Sequence, residues 1–517
     1  MPSNGELELW PTPSPPPSNT SPSRLPGATP TSTRTLLEVL KLNHERWHIL
    51  FDDYGRHNHI AHHVLAVWAM GAHEDIIHTG YSKNERLQQP RGSSPGQITE
   101  DNFNDHLGDR RFYDAYVKFF TEVVRTQGFA FALEEYLFSS QANFASVSKD
   151  GKHPEMLSRF YYAGMHAMIH VGYGVEFGLP GMFVEGLALT AIGQANSEVI
   201  IPPALFASIE TLRENPSQVP LPESVLQQAS SRLKSVWRQV LGDASVGTAS
   251  YNVHAFDVIA RIVGDSKIFT PVSFGAGSPF KPTLDACGNA IYGHVNEWTV
   301  DPSSVQEKIE EVQWAVSLLY AVSGFKQLDD GGFNADFLAM HFVTSAIFLP
   351  SLVAYLPPPS QILLLRGYFA VCLAWWVAIG KPPLDIPAFF AADTARPGAS
   401  GPHYSPNKSA LPSPDSPVAS NPNPWTYIIQ QALTHPDDHV PKLLRSLIHF
   451  STLYGDREAG YFKNTELGGS DKIDGTLFVR AAGLTLERLG RDFKEVPSLQ
   501  VYWDKKTYVP GAAHDTY

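Results

Sequence analysis

The chain is 517 residues long with 43% hydrophobic and 18% charged residues, a composition that suits a globular protein with a large buried core. Its formal charge of −13 and pI of about 5.8 exclude nucleic acid or an anionic membrane as the main partner, since both need dense Lys/Arg patches. With only Cys287 and Cys372 available, a disulfide framework, a Cys-rich zinc site and an iron–sulfur cluster are excluded too, so a metal here must be held by His and oxygen.

Met1 to about Thr33 is rich in Pro, Ser and Thr and has no basic stretch followed by an apolar one. Residues 1–33 therefore read as a disordered tail rather than a secretion signal, and the protein is expected to be intracellular. Thr35 and Glu38 form a capping box ahead of Leu36, Leu37, Val39, Leu40 and Leu42, which predicts a helix start. Next comes the densest chemistry so far, His57-Asn58-His59-Ile60-Ala61-His62-His63. A second cluster follows at Gly164-Met165-His166-Ala167-Met168-Ile169-His170. His59/His63 and His166/His170 are i,i+4 pairs, so on helices both rings of a pair face the same way, roughly 5–6 Å apart at Cβ.

Ser304 with Glu307 predicts another helix start, ahead of Ile309, Val312, Val316 and Leu319. The most apolar run, Gly367 to Ile379, is shorter than the roughly 20 residues of a bilayer span and reads as a core helix. Val440, Leu443, Leu444, Leu447 and Ile448 fit an amphipathic helix with Pro441 in its first turn. Low-complexity breaks fall at about Ser82–Glu100 and in a Pro/Ser-rich insertion at about 393–424. Convincing strands are scarce and the His-bearing segments lie on both sides of each break. The expected architecture is all-α, a single large multi-helix domain over 34–517 whose histidine helices converge on one site.

Several chemistries lack their parts. No Gly-x-Gly-x-x-Gly is present and Gly275-Ala276-Gly277 opens no helix, so a Rossmann flavin or nicotinamide site is missing its phosphate turn. Gly92-Ser93-Ser94-Pro95-Gly96 has no apolar strand before it, as a nucleophile elbow requires. His73-Glu74 and His78 are spaced i,i+5, roughly 140° apart on a helix, which defeats a zincin site. Glu45-Arg46-Trp47-His48 is the only Glu-x-x-His, where a carboxylate-bridged di-iron bundle needs two.

The remaining motifs are Asn58-His59-Ile60-Ala61-His62-His63, His166 through His170 to Gly172-Tyr173-Gly174 and Glu176, Phe183-Val184-Glu185-Gly186, Met340-His341-Phe342-Val343-Thr344, and Asp438-His439-Val440-Pro441-Lys442. In this order, from about Thr35 to Gly490, they resemble the questin oxidase-like family. The resemblance implies fungal secondary metabolism and oxidative opening of an anthraquinone or related aromatic polyketide ring with O₂, a Baeyer–Villiger-type conversion. Such chemistry needs flavin or a redox metal. With no flavin signature, histidine-held Fe(II) is the expected cofactor, although imidazole suits Fe, Zn and Cu alike.

His59, His166, His341 and His439 are the leading candidate ligands, followed by His170 and by His62, which spacing does not rank against His63. Lys442 points away from the apolar stripe of its helix and would be a solvated lysine; as a site residue it would be a proton donor or, carbamylated by CO₂, an oxygen ligand. Lys381, directly after the most apolar helix, competes for that ligand role, or simply snorkels from the helix end. Glu185 and Tyr173 are candidates to orient a histidine, with helix packing as the alternative. Two other functions stay open at this point: an NADPH-dependent monooxygenase on the same substrates and a non-catalytic polyketide binder.

Overall fold

The computed structural model describes residues 6–145, 151–207, 252–271, 278–395, 397, 421–490 and 503–504. Most of the expected 393–424 insertion and the Gly275–Gly277 segment lie outside the described residues. Helices of ten or more residues are α1 (Pro30–Arg46), α2 (Ile60–Ala69), α3 (Glu74–Asn84), α4 (Tyr113–Leu133), α5 (Tyr162–Phe177), α6 (Pro180–Ile192), α7 (Ala255–Gly264), α8 (Phe280–Glu297), α9 (Val305–Gly324), α10 (Phe337–Ala346), α11 (Pro358–Ala378), α12 (Pro424–Thr434), α13 (His439–Tyr454) and α14 (Leu477–Leu489). Among the described residues β pairing is limited to three isolated bridges, so the all-α expectation holds.

The elements follow from local chemistry. Thr29 and Ser32 make the capping box that starts α1 at Pro30, six residues earlier than Thr35 and Glu38 suggest. Ser304 precedes α9 without a side-chain cap, because Asp301 has already capped the 3-10 turn Pro302–Ser304 in front of it. Helix α13 matches its pattern, with Val440, Leu443, Leu444 and Leu447 wholly buried. Helix α11 begins at Pro358 rather than near Gly367. At 21 residues it is long and apolar enough to cross a membrane, yet 89% of its most apolar window is covered by protein. It packs against α8 and α9 as a core helix.

Four helices carry the site. Helix α2 touches α5 and α13, and α10 touches the same two, which closes a ring α2–α5–α10–α13. Behind it, α9 backs α10 and α14 backs α13. Residues 6–29, expected as a disordered tail, instead lie across this ring. Leu25 N–H donates to Ala69 O, Ser14 N–H to Phe177 O, and Leu9 O accepts from Gly181 N–H, each at 2.8 Å. The first two carbonyls belong to the last turns of α2 and α5, which have no partner within their own helices. Composition alone does not show that a Pro/Ser-rich segment has such acceptors waiting.

Candidate metal centre

Each helix of the ring supplies one histidine. His59 is the N-cap residue of α2, and Asn58 Oδ1 accepts the Ile60 N–H in its place, which leaves the His59 ring free to turn inward. His166 enters α5 behind a left-handed turn in which Ala163, Gly164 and Met165 have φ of 51°, 69° and 64°. For Ala163 and Met165 this conformation costs roughly 1–2 kcal/mol each, and such strain is commonly kept where geometry serves a site. His341 lies within α10 and His439 opens α13.

The Nδ1 atoms all face outward onto acceptors. His341 Nδ1 donates to Phe337 O at 2.7 Å, His439 Nδ1 to Asp437 Oδ1 at 3.1 Å, and His166 Nδ1 to Ala163 O. His59 Nδ1 stands 2.8 Å from Asp438 Oδ2. Carbonyls and carboxylates only accept, so the hydrogen of each neutral ring sits on Nδ1 and the lone pair on Nε2. Those four Nε2 atoms are turned away from the acceptors, and His59, His166 and His439 offer ligand nitrogens within 4.8 Å of one another, with the His341 ring packed beside His166 and His439. His59 and His166 bring theirs to 2.9 Å, and His341 and His439 leave theirs buried with no protein partner. Lone pairs that meet at such distances call for a cation between them, and the acceptors behind the rings are the outer partners typical of metal-bound histidine. The residues fit a borderline metal such as iron.

Electrostatics favour the same state. Burial pushes the His59 imidazole down to about 3 and holds His166 and His341 well below the usual range, so the rings stay neutral and able to ligate. Burial alone would raise the Asp438 carboxyl, but His439, His59 and Lys442 outweigh it and keep it ionised. Lys442 Nζ is 3.6 Å from Asp438 Oδ2. Its ammonium is lowered by burial, against the pull of Asp438 and Asp437.

Residues 56–447 match the questin oxidase-like family. The chain belongs to it. A Baeyer–Villiger oxidase of Pestalotiopsis microspora is 24% identical over 356 residues, covering 68% of this chain and 71% of that protein. A questin oxidase of Aspergillus terreus is 22% identical over 418 residues, covering 79% and 78%. A Baeyer–Villiger oxidase of Paecilomyces divaricatus reaches 32%, over only 31% of this chain and 33% of its own length.

On this questin oxidase-like scaffold the sequence candidates separate. The His59/His63 pairing fails: His63 packs on α3, where a Cβ at Gly80 would meet its Nε2 at 2.8 Å, and it is His62 that faces inward, 3.0 Å from His170. His166 and His170 do face the same side, both against His57. Glu185 joins His170 to His44, with 3.0 and 2.7 Å contacts. Tyr173 stacks obliquely on His62, with centroids 5.4 Å apart, under the Arg445 guanidinium. Lys442 is buried beside the centre rather than solvated. Lys381 is not brought there: its Nζ donates to Ile262 O and Ile268 O at the end of α7. Glu176 is taken up by Arg445.

Three residues escaped sequence reasoning. His57 is presented by a short antiparallel bridge with Leu50, stacked on His62 and His166 with centroids 4.6 and 5.0 Å apart. It is the first histidine of its cluster, but it precedes the helix and fits no helical spacing. Asp437 was hidden by its neighbour Asp438, and His44 lies on α1 outside every motif. His57 and His166 also line a cleft together with Arg110, Arg159, Tyr162 and Ile192.

Proposed function

We propose that the chain is an oxygenase that uses O₂ to open the ring of an anthraquinone-type aromatic polyketide, with iron held by His59, His166, His341 and His439. One observation carries the reading: His59, His166 and His439 bring ligand nitrogens within 4.8 Å of one another, the His341 ring packs against His166 and His439 with centroids 4.9 and 5.4 Å away, and every Nδ1 of the four is turned outward onto an acceptor. The names of the relatives, questin oxidase and Baeyer–Villiger oxidase, support the oxidoreductase class and the substrate type. Bound iron would supply the one-electron chemistry toward O₂ that side chains lack.

The rest is the work of the protein. Asp437 and Asp438 orient His439 and His59 and place negative charge behind them, which makes the rings better donors. Lys442, buried beside Asp438, is the group available to hold or deliver a proton at Nζ. The cleft reaches His166 from outside, and its aliphatic and aromatic walls with two guanidinium groups suit a flat ring system bearing phenol and quinone oxygens. The test is anaerobic loading of the purified chain with Fe(II), followed by addition of an anthraquinone and oxygen. Consumption of O₂ with loss of the quinone chromophore, abolished in His341→Ala, is expected. Full turnover by metal-stripped protein overturns the reading.

A further inference from the structure

His57, His62 and His170 form a second group beside the first, each offering one nitrogen within 4.8 Å of the others. All three are buried, with 3%, 0% and 0% of their surfaces exposed. Glu185 Oε2 lies 3.0 Å from His170 Nε2, and a carboxylate only accepts, so Nε2 carries the hydrogen and the lone pair on Nδ1 faces His62 Nε2 at 3.0 Å. Glu185 is itself fixed by His44 Nδ1 at 2.7 Å, and His44 Nε2 accepts from Arg91. This is the carboxylate–histidine arrangement that stands behind metal ligands.

A plain hydrogen-bond network does not account for the group. If His62 donates to His170, its own Nδ1 stays buried without a protein partner, and so do both nitrogens of His57. A neutral imidazole must carry a hydrogen on one nitrogen, so His57 would bury an unanswered donor, a costly arrangement. A cation would take the place of these missing partners.

We infer that His57, His62 and His170 form a second metal site, distinct from the four-histidine centre, for a divalent first-row transition ion such as Zn(II) or Fe(II). Three neutral imidazoles with an ionised carboxylate behind one of them make a site with room for an exogenous fourth ligand. In a four-coordinate site metal–nitrogen bonds of roughly 2.0–2.1 Å put ligand nitrogens about 3.3 Å apart, so from the 4.8 Å limit binding draws the widest pair in by up to about 1.5 Å, through rotation of the rings. Because His57 also lines the cleft, the fourth position is reached from there by water or a substrate oxygen. The inference does not depend on the oxygenase reading.

The experiment is to strip the full chain of metal, reload it anaerobically with Fe(II) and separately with Zn(II), desalt, and measure bound metal. Wild type is expected to hold two equivalents, His57→Ala and His170→Gln one, and His341→Ala one, while His57→Ala/His341→Ala holds none. Anomalous scattering from metal-loaded wild-type crystals should give two peaks, which keeps the test decisive if a variant fails to fold. A single equivalent in wild type that survives His57→Ala overturns the second site and leaves the first intact. One equivalent lost in His57→Ala but kept in His341→Ala supports the second site and sinks the four-histidine centre. No bound metal overturns both.

Discussion

The two histidine groups are neighbours built of the same side chain, and they differ in what stands behind each ring. In the four-histidine centre every Nδ1 has its own outward acceptor: Ala163 O, Phe337 O, Asp437 or Asp438. In the His57 group only His170 has one; His62 reaches only His170, and neither nitrogen of His57 has a protein partner. An imidazole becomes a committed ligand when its second nitrogen is spoken for, because that fixes both tautomer and ring angle. The four-histidine centre is therefore the more preorganised of the two and should bind metal more tightly.

The hardest blow to this contrast is removal of a ring. His341→Ala or His439→Ala should abolish turnover and lose the first metal, a larger effect than the roughly 10–100-fold that loss of an outer partner costs, while melting temperature with the fold intact changes little. Variants that melt earlier yet turn over normally once folded would show that these are packing histidines. Outer partners sharpen the contrast. Asp437→Asn should weaken first-centre metal by roughly 10–100-fold, whereas Glu185→Gln should leave that affinity unchanged and act only on the His57 group. Equal effects of the two substitutions, read by competition with a chelator, would merge the groups into one.

This division was only partly legible in the sequence. The motifs containing His59, His166, His341 and His439 stood out because each lies on or at the end of an apolar helix, and periodicity reports helices well. Spacing misled at His59 and His63, because His59 is the N-cap residue of α2 and not on its face. Nor could periodicity find His57, which a bridge presents, or the tail's carbonyl partners on α2 and α5, which are contacts across long sequence separations. Lys442 looked solvated from its own helix alone, but α2 and α10 pack against that helix and Lys442 is buried.

Lys442 offers the next test. Four neutral imidazoles leave a divalent ion with its full charge, and a buried amine lowered toward neutrality is the form that takes up CO₂ to give an anionic oxygen ligand. Lys442→Ala should cut metal retention by about 10-fold or more, taking the outer-partner range as the floor. Lys381→Ala, remote from the rings, should not. If both keep full occupancy, the site does without a lysine-derived ligand.

The N-terminal strap bears on the ring as a whole. Removing residues 1–29 exposes the Ala69 and Phe177 carbonyls and the Gly181 N–H, and it uncovers Gly181 where Trp10 covers it. Three hydrogen bonds at roughly 0.5–1.5 kcal/mol each put the loss at roughly 1.5–4.5 kcal/mol. Thermal melting of the truncated chain should show it, and unchanged melting would mean that the strap contributes nothing to the ring.

The smallest expected effect separates the groups from ordinary buried histidines. His63 and His449 belong to neither centre, and burial lowers both to about 4. Their unfolded value is near 6.5, so between pH 6.5 and 4 the unfolded chain binds more protons than the folded one and stability falls as the pH falls. Above pH 6.5 neither contributes any slope, and below about 4 the loss stops growing. Each histidine accounts for at most about 1.4 kcal/mol per pH unit within that window. Denaturant midpoints measured at pH 7, 6 and 5 should therefore converge between wild type and His449→Gln as the pH falls, since the variant lacks one such proton. Metal should act in the same sense on the ring: a ligated imidazole cannot take a proton in the folded state while the unfolded chain can, so loaded protein should also lose stability, and with it metal, on acidification. Parallel curves for wild type and His449→Gln, loaded and stripped alike, would show that burial of these rings carries no pH-linked stability.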